Sequence, residues 1–495
     1  MKCISLYAGF DYSISEGKTR DYTFVAEGFS NEDLSFITNA LQYEKGGTPA
    51  GGQTTDRRVG FTGNVNYTYD NRYFIDGSYR IDGSSQFGAD KRYAPFWSVG
   101  LGWNIHHEKF MESLTPTISN LRLKASYGIT GAMDFNKAAV ATMYNYPAGD
   151  RYLHWSSAHV QGFGNKRLTW QETRESNFGL EFSLFDYRIT GAFDYYIKDT
   201  DGLVSHMDIP LVMGFSSYYA NVGKVRNSGF ETSLSAYLIR DLQHDFSWMV
   251  SGQLVYNKNK VLKLSDAIKS QNEEYIASVG SQSNTRPANL LYEGRSQNGI
   301  YVVRSLGIDP VTGAELYLDK DGVPTSTWNT QDRVYAGLDA TYGSPYRGNA
   351  STMVRWEDFT LNISFGYQWG GQTYNTTLID RVEVTNSAIG RRNVDRRVYE
   401  ARWQKPGDRT FFKAYGDRVT YATSRFVMDD NWFDIQSVSL QYRWSTARLK
   451  QLTGLQSILF NVNMSDLWHF SSIRYERGTS YPFARNVQGS VSFLF

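Results

Sequence analysis

Residues Val59–Ile105 read VGFTGNVNYTYDNRYFIDGSYRIDGSSQFGADKRYAPFWSVGLGWNI, and this stretch decides the fold. Phe61, Gly63, Val65, Tyr67 and Tyr69 alternate with Thr62, Asn64, Asn66 and Thr68. After Asp70-Asn71 the phase resumes in Tyr73, Ile75, Gly77, Tyr79 and Ile81, set against Asp76, Ser78, Arg80 and Asp82. Trp97, Val99, Leu101, Trp103 and Ile105 then alternate with Ser98, Gly100, Gly102 and Asn104. Period two over three segments predicts three β-strands with one apolar, aromatic face and one polar face. At about 3.3 Å per residue, Phe61–Tyr69 covers about 26 Å, close to the reach of a tilted membrane-spanning strand. A tight Asp-Asn turn joins the first two strands and a longer polar loop joins the next two. Short turns on one side and long loops on the other are the layout of an outer-membrane barrel.

The same alternation recurs along the chain. Residues 4–13 read as a first strand, and Leu121–Ile129, Phe178–Leu184 and Ile189–Tyr195 as further ones. Phe230–Ala236, Phe246–Tyr256, Thr352–Trp356 and Leu361–Trp369 continue the series, and Trp432–Trp444, Ile458–Met464 and Val487–Phe495 close it. The expected fold is all-β: an antiparallel transmembrane β-barrel segment of about fourteen to sixteen strands. Asn31–Tyr43 has helical spacing at Leu34, Ile37 and Leu41. Residues 259–298 lose the strand pattern, and 370–430 read as a long, polar, loop-like stretch.

Bulk composition agrees. The chain has 495 residues, and Lys+Arg 51 against Asp+Glu 50 leaves a net charge of +1, so no global field draws it to nucleic acid. Aromatic residues make up 15%, with 35 Tyr, which suits interfacial girdles. Mean hydropathy is −0.46 and no apolar run reaches helical-span length, which excludes transmembrane helices but not strands that face lipid at every second residue. The lone Cys3 excludes an internal disulfide framework. Met1–Ser15 has no apolar core of signal-peptide length, so the chain is expected to be a fragment of a longer protein.

Motifs for catalysis or metal binding are weak. His106-His107-Glu108 places its histidines side by side, without a second ligand pair at metal spacing, and reads as a polar cap on a strand end. Gly46–Gly52 lacks the Lys-Ser/Thr of a phosphate loop. Asp319-Lys320-Asp321-Gly322 resembles the front of a calcium loop but lacks the distal acid at that spacing, so it reads as a hairpin turn, with Asp309 and Asp332 as further acids for a loop calcium. No other cofactor and no enzymatic activity are expected. The last strand alternates Val487, Gly489, Val491, Phe493 and Phe495; an aromatic end on the lipid face is read as a signal to the barrel assembly machinery, carried by Val491, Phe493 and Phe495.

These residues resemble a specific family. Tyr79–Phe87 (YRIDGSSQF) followed by Tyr93–Ile105 is similar to the barrel signature of SusC/RagA TonB-dependent outer-membrane transporters of Bacteroidetes. LRLKASYGITG (121–131), RLTWQETRESNFGL (167–180), NVGKVRNSGF (221–230), GIDPVTG (307–313) and RWQKPGD (402–408) follow in the family's order. The resemblance implies a 22-stranded, plugged barrel of which this chain, 1–495, is the C-terminal part without the plug: 1–57 a first strand and loop, 58–495 barrel strands with long extracellular loops. It further implies a multi-pass outer-membrane location and import of an oligosaccharide or peptide substrate. Its partners would be a SusD-like surface lipoprotein and, through the missing N-terminal part, the TonB–ExbB–ExbD complex, with outer-membrane lipid around it. The loops Gly131–Arg167, Gly370–Asp430 and Ser465–Pro482 would meet substrate, with Tyr144, Tyr146, Tyr152 and Trp155 as candidates for stacking on it. The alternatives are a passive or structural outer-membrane barrel and a soluble or surface β-rich binding protein or hydrolase. A plug encoded upstream separates the first reading from the passive one; partition with membranes separates both from the soluble one.

Overall fold

The structure, a computed structural model, describes residues 3–495 except 32, 34–35, 45–49, 86, 88–91, 116, 133–142, 146–150, 154, 163, 166–167, 209–216, 278–281, 289, 337–343, 386–388, 392, 417–418 and 475–484. Its backbone is one 14-stranded antiparallel sheet. The strands are β1 Ile4–Thr23, β2 Ala50–Tyr69, β3 Tyr73–Ser84, β4 Tyr93–Asn104, β5 Ile118–Ala132, β6 Gln171–Leu184 and β7 Ile189–Asp208. They continue as β8 Ser217–Asp241, β9 Phe246–Leu264, β10 Tyr346–Trp356, β11 Phe359–Trp369, β12 Trp432–Trp444, β13 Ser457–Ser471 and β14 Asn486–Leu494. Each strand pairs with its neighbours in this order, and among the described residues β1 and β14 each pair on one side only. No described helix is long and apolar enough to cross a membrane; the strands form the wall.

The connections alternate strictly. One end carries tight turns, 70–72, 185–188, 242–245 and 357–358, and two links, 105–117 and 445–456, that fold into short helical turns. Asp70 and Asn71 both adopt φ of 53°, in the left-handed region that Asp and Asn tolerate in tight turns. The other end carries every long loop, including 265–345 and 370–431. The His106-His107-Glu108 segment lies at the tight-turn end beside 3₁₀ turns, where Glu108 accepts from Tyr73 Oη at 2.6 Å and Trp103 Nε1 at 3.0 Å and so ties the ends of β3 and β4 to this link.

The wall inverts soluble packing. Phe61, Val65, Ile75, Leu101, Phe178 and Leu440 point outward and are exposed, whereas the opposite face pairs polar groups. Inward, Lys124 Nζ meets Glu181 Oε1 at 2.5 Å, and the hydroxyl pairs Ser251–Ser351 and Ser364–Ser437 lie at 2.8 and 2.6 Å. Aromatic rows bound the apolar face. At the long-loop end Phe230, Tyr256, Tyr346 and Trp369 stack in sequence, with centroids 5.4, 4.7 and 5.2 Å apart. At the tight-turn end Phe359, Tyr442 and Phe460 form a matching row. Phe359 and Trp369 bound β11, roughly ten steps or about 33 Å of strand. At a tilt near 40° that is about 25 Å, the height of the apolar band of an outer-membrane barrel.

Three expectations need correction. Asn31–Tyr43 carries no α-helix among its described residues; Ile37–Asn39 is a single 3₁₀ turn and Gln42–Tyr43 a short strand. Residues 259–298 contain the end of β9 and the helix α1, Asp266–Ala277. The stretch 370–430 is not a loose loop. With 265–345 it builds a compact loop assembly around Ile300, Val302, Val382, Phe412 and Phe426, and it includes the helix α2, Thr376–Arg381. A small antiparallel sheet completes the assembly, in the order Pro324–Thr325, Glu315–Leu318, Tyr301–Ile308, Arg333–Tyr335.

Candidate functional site at the barrel mouth

The loop assembly sits at the long-loop end and is pinned by buried charge. Arg425 is 4% exposed, and its guanidinium reaches Glu315 at 2.8 Å and Glu383 at 2.5 Å, carboxylates that are 2% and 0% exposed. Both carboxylates accept further hydrogen bonds. Thr423 and Ser305 hydroxyls donate to Glu315 at 2.8 and 2.7 Å; Thr420 Oγ1 and the Lys413 backbone N–H donate to Glu383, both at 2.9 Å. Burial pushes the Glu383 carboxyl up, but the hydrogen bonds and charge of Arg425 outweigh it and hold the group below the usual carboxylate range. Burial opposes the Arg425 charge, yet the two carboxylates leave it more basic than a free guanidinium.

Arg402 pins a second seam. Its guanidinium is fully enclosed and donates to three backbone carbonyls, those of Lys413, Val384 and Ala414, at 2.9, 2.8 and 2.6 Å. Next to it two separated motifs dock. Trp403 Nε1 and the Gly407 N–H, from RWQKPGD, donate to the Pro310 carbonyl of GIDPVTG at 3.0 and 2.8 Å. Gly313 has φ of +70° and lies against the Trp403 ring, where a Cβ would come within 2.5 Å of the indole. Only glycine fits that turn and that contact together.

Between these seams opens a cavity of about 540 Å³. Glu315 and Lys413 meet its edge, and Tyr317, Trp328, Tyr415 and Tyr421 line it. The Trp328 and Tyr421 rings stack at 4.7 Å and 11°, and Trp328 Nε1 is held by the Ala422 carbonyl at 3.2 Å. Burial pulls the Lys413 ammonium down to about 8, against the pull of Glu383 and Glu315. Behind Trp328, the Arg333 guanidinium lies 5.3 Å from both the Trp328 and Tyr275 rings and has no hydrogen-bond acceptor among the described residues. A second cavity, of about 350 Å³, lies where the loop assembly meets the inner face of β12 and β13, with Asn375, Thr376, Trp432, His469 and Arg474 around it. There His469 Nδ1 pairs with Asp434 Oδ1 at 2.5 Å. A third, apolar groove of about 680 Å³, bounded by Leu101, Leu123, Phe178 and Phe193, lies on the outward face and belongs to lipid.

The residues expected from sequence lie elsewhere. Tyr144 is exposed on a short strand, Met143–Asn145, that pairs with His159–Gly162. Trp155 is exposed on Trp155–Ser156, which pairs with the strand Arg151–Tyr152 holding Tyr152. Tyr146 lies outside the described residues. Neither Tyr144 nor Trp155 is among the residues that line the two mouth cavities. Val491, Phe493 and Phe495 are exposed along β14 and its end. Asp319 turns a hairpin by accepting from Asp321 and Val323 N–H groups, and Asp332 accepts from Lys320 N–H at 3.0 Å. Asp309 serves its own turn through Val311 and Thr312. The cavity residues sequence reasoning missed, Tyr317, Trp328, Lys413, Tyr415 and Tyr421, lie close to the GIDPVTG and RWQKPGD motifs, and that proximity was the available signal.

Comparison with known proteins agrees with this architecture. A family model described as "TonB dependent receptor-like, beta-barrel" matches residues 5–387. TonB-dependent receptor P3 of Formosa agariphila is 27% identical over 94% of this chain and 46% of its own length. TonB-dependent receptor SusC of Bacteroides thetaiotaomicron is 29% identical over 68% of this chain and 33% of its own. The chain therefore spans about half or less of the curated relatives it matches. Among solved structures, the RagAB peptide transporter aligns with a TM-score of 0.78 at 22% identity, covering 95% of this chain and 50% of that one. That likeness is one of fold.

Proposed function

The chain belongs to the TonB dependent receptor-like β-barrel family, and on that premise we propose that it forms the C-terminal barrel part of an active outer-membrane importer for an oligosaccharide or peptide. It is an outer-membrane wall, and its relatives are receptors rather than enzymes. In this reading energy comes from the TonB complex and a SusD-like lipoprotein covers the mouth, as the kinship with SusC and with the RagAB fold suggests.

One observation carries the proposal. A cavity of about 540 Å³, within the range that holds a small ligand, opens in the packed loop assembly above a polar-lined wall. Tyr415 and Tyr421, the exposed rings of the lining, offer stacking faces for a sugar ring or an apolar side chain, with Trp328 packed behind Tyr421, and Lys413 offers a charge for a carboxylate or anionic sugar. The buried Arg425 network holds those faces in place before a ligand arrives, which lowers the ordering cost of binding.

The test uses the full-length protein in its native membrane, with uptake of defined glycans and peptides as the readout. Trp328→Ala and Tyr421→Ala are expected to weaken capture of one of the two classes about tenfold or more, at a cost near 2 kcal/mol for a buried aromatic contact. Uptake that continues after the proton-motive force is collapsed would instead identify a passive barrel. Uptake of both classes unchanged in the two variants would remove the cavity from the pathway.

A further inference from the structure

The outer face of β8 and β9 continues past the aromatic row into a cluster of cations. Trp248, Val250, Leu254 and Tyr256 hold the outward phase of β9, and Lys258 and Lys260 follow in that phase. Across the ladder, Lys260 stands directly opposite Arg226, and Lys263 directly opposite Lys224. Like charges facing each other in an antiparallel ladder are destabilising unless anions offset them, and Asp199 offsets only the Arg226 side of these two pairs. The nearby carboxylates are already committed. Asp199 holds Arg226 through two contacts of 2.6 and 2.7 Å, and Glu293 is shared between Leu264 N–H and Lys269, both at 3.0 Å. Asp201 stands directly opposite Lys224 in the β7–β8 ladder, but its carboxylate accepts from Gly202 N–H at 2.9 Å and makes no ion pair with Lys224 among the described residues. Lys224, Lys258, Lys260 and Lys263 have no ion pair among the described residues.

The height of the cluster matters as much as its charge. Tyr256 belongs to the stacked row Phe230–Tyr256–Tyr346–Trp369, which marks the membrane interface at the long-loop end. Lys258 is two residues farther along, about 7 Å at about 3.3 Å per residue, and Lys260 about 13 Å. Those distances place the ammonium groups in the headgroup layer of the outer leaflet, outside the barrel and away from the mouth cavities. We propose that Lys224, Lys258, Lys260 and Lys263 form a cationic shelf that binds the phosphorylated headgroup of an outer-leaflet glycolipid. An ammonium on a flexible stem acts as a point charge that follows a mobile phosphate, and several together raise the local affinity for anionic lipid.

The experiment compares the full-length protein with the variant Lys224→Gln/Lys258→Gln/Lys260→Gln/Lys263→Gln. Both are reconstituted in discs of neutral phospholipid doped with a bisphosphorylated glycolipid or with its dephosphorylated form, and retained glycolipid is measured by native mass spectrometry. The unmodified protein is expected to retain the phosphorylated form about tenfold or more over the variant, and to show no such difference for the dephosphorylated form. The corresponding four Lys→Arg exchanges restore retention. Heat-modifiable gel migration identifies variants that have assembled, and only those are compared. Equal retention by the unmodified and glutamine proteins overturns the proposal. So does lysine-dependent binding of inorganic phosphate in solution at concentrations where the lipid is not retained.

Discussion

The wall and the loop assembly use apolar residues in opposite ways. In the wall, Leu101 is 52% exposed and Phe178 57%, while Lys124 and Glu181 meet on the inner face. In the loop assembly, Val302, Val382 and Phe426 are fully buried and Val311 is 68% exposed. An exposed leucine is thus a lipid contact in one region, and an exposed valine is a solvated turn residue in the other. The wall is ordered by backbone ladders and by the lipid around it; the assembly is ordered by a small core and by buried charge. The region that would meet a ligand is the one whose order does not depend on the membrane.

The largest effect should come from separating the two regions at Arg425. Arg425→Met leaves Glu315 and Glu383 facing each other in a dry interior, which should cost the loop assembly about 3–5 kcal/mol. Proteolysis and hydrogen exchange should then open residues 300–430 while the wall keeps its heat-modifiable migration. If the wall falls with the loops, the two are one cooperative unit and the comparison breaks.

A matched pair of substitutions tests the surfaces directly. Val99→Arg, on the outward face of β4 and four residues from Trp103 of the tight-turn aromatic row, should cost about 2–4 kcal/mol of wall stability. Val311→Arg should change stability by less than about 0.5 kcal/mol, as exposed loop positions do. Urea titration of the protein refolded into lipid measures both. Equal costs would mean that exposure, not the solvent met, sets the penalty.

Arg333 should behave in the reverse sense to Arg425. Its guanidinium is enclosed between Tyr275 and Trp328 without an acceptor among the described residues, so its desolvation is offset only by the rings. Arg333→Met keeps the stem, removes the charge and should stabilise the loop assembly by about 1–2 kcal/mol. Protease resistance of residues 300–430 reads the change, and a loss of resistance would show that the cation–π contacts outweigh desolvation.

How legible each region was in the sequence follows from the same contrast. Lipid on one side and polar groups on the other imprint period two, so the strands from Phe61 to Ile105 could be read directly. The imprint ends where both faces are polar: β1 runs on to Thr23 through Glu16, Lys18 and Arg20, well beyond the alternation of residues 4–13. The core of the loop assembly leaves no period. Val302 comes from one loop and Val382 and Phe426 from another, and one or two apolar residues at a time, scattered in polar chain, look like loop. Tyr144, Tyr152 and Trp155 drew attention through local aromatic density, which says nothing about convergence. Trp328 and Tyr421 converge from segments 93 residues apart and have no local signature. The colinear motifs carried more information than their composition, since GIDPVTG and RWQKPGD dock on one another.

Lys413, at the edge of the larger mouth cavity, tests the loop assembly through pH. Burial holds its ammonium at about 8, below the ordinary 10.5, although Glu383 and Glu315 pull it upward and Arg425 and Arg402 push it down. Below about pH 8 both folded and unfolded chains carry the proton, and the folded assembly bears the full burial penalty. Above it the folded chain has lost the proton while the unfolded chain keeps it up to about 10.5, so the unfolded state binds more protons and stability rises with pH. The buried phenols work in the opposite direction: Tyr317 and Tyr374 are pushed upward by burial, and their penalty begins only as an unfolded tyrosine ionises near pH 10. The window for lysine is therefore pH 8 to about 9.5. Within it, protease resistance of residues 300–430 should increase with pH in the unmodified protein and stay flat in Lys413→Met. The wall should show no matching trend. A slope that persists in Lys413→Met would assign the titration to another group and leave the charge at the cavity edge independent of pH.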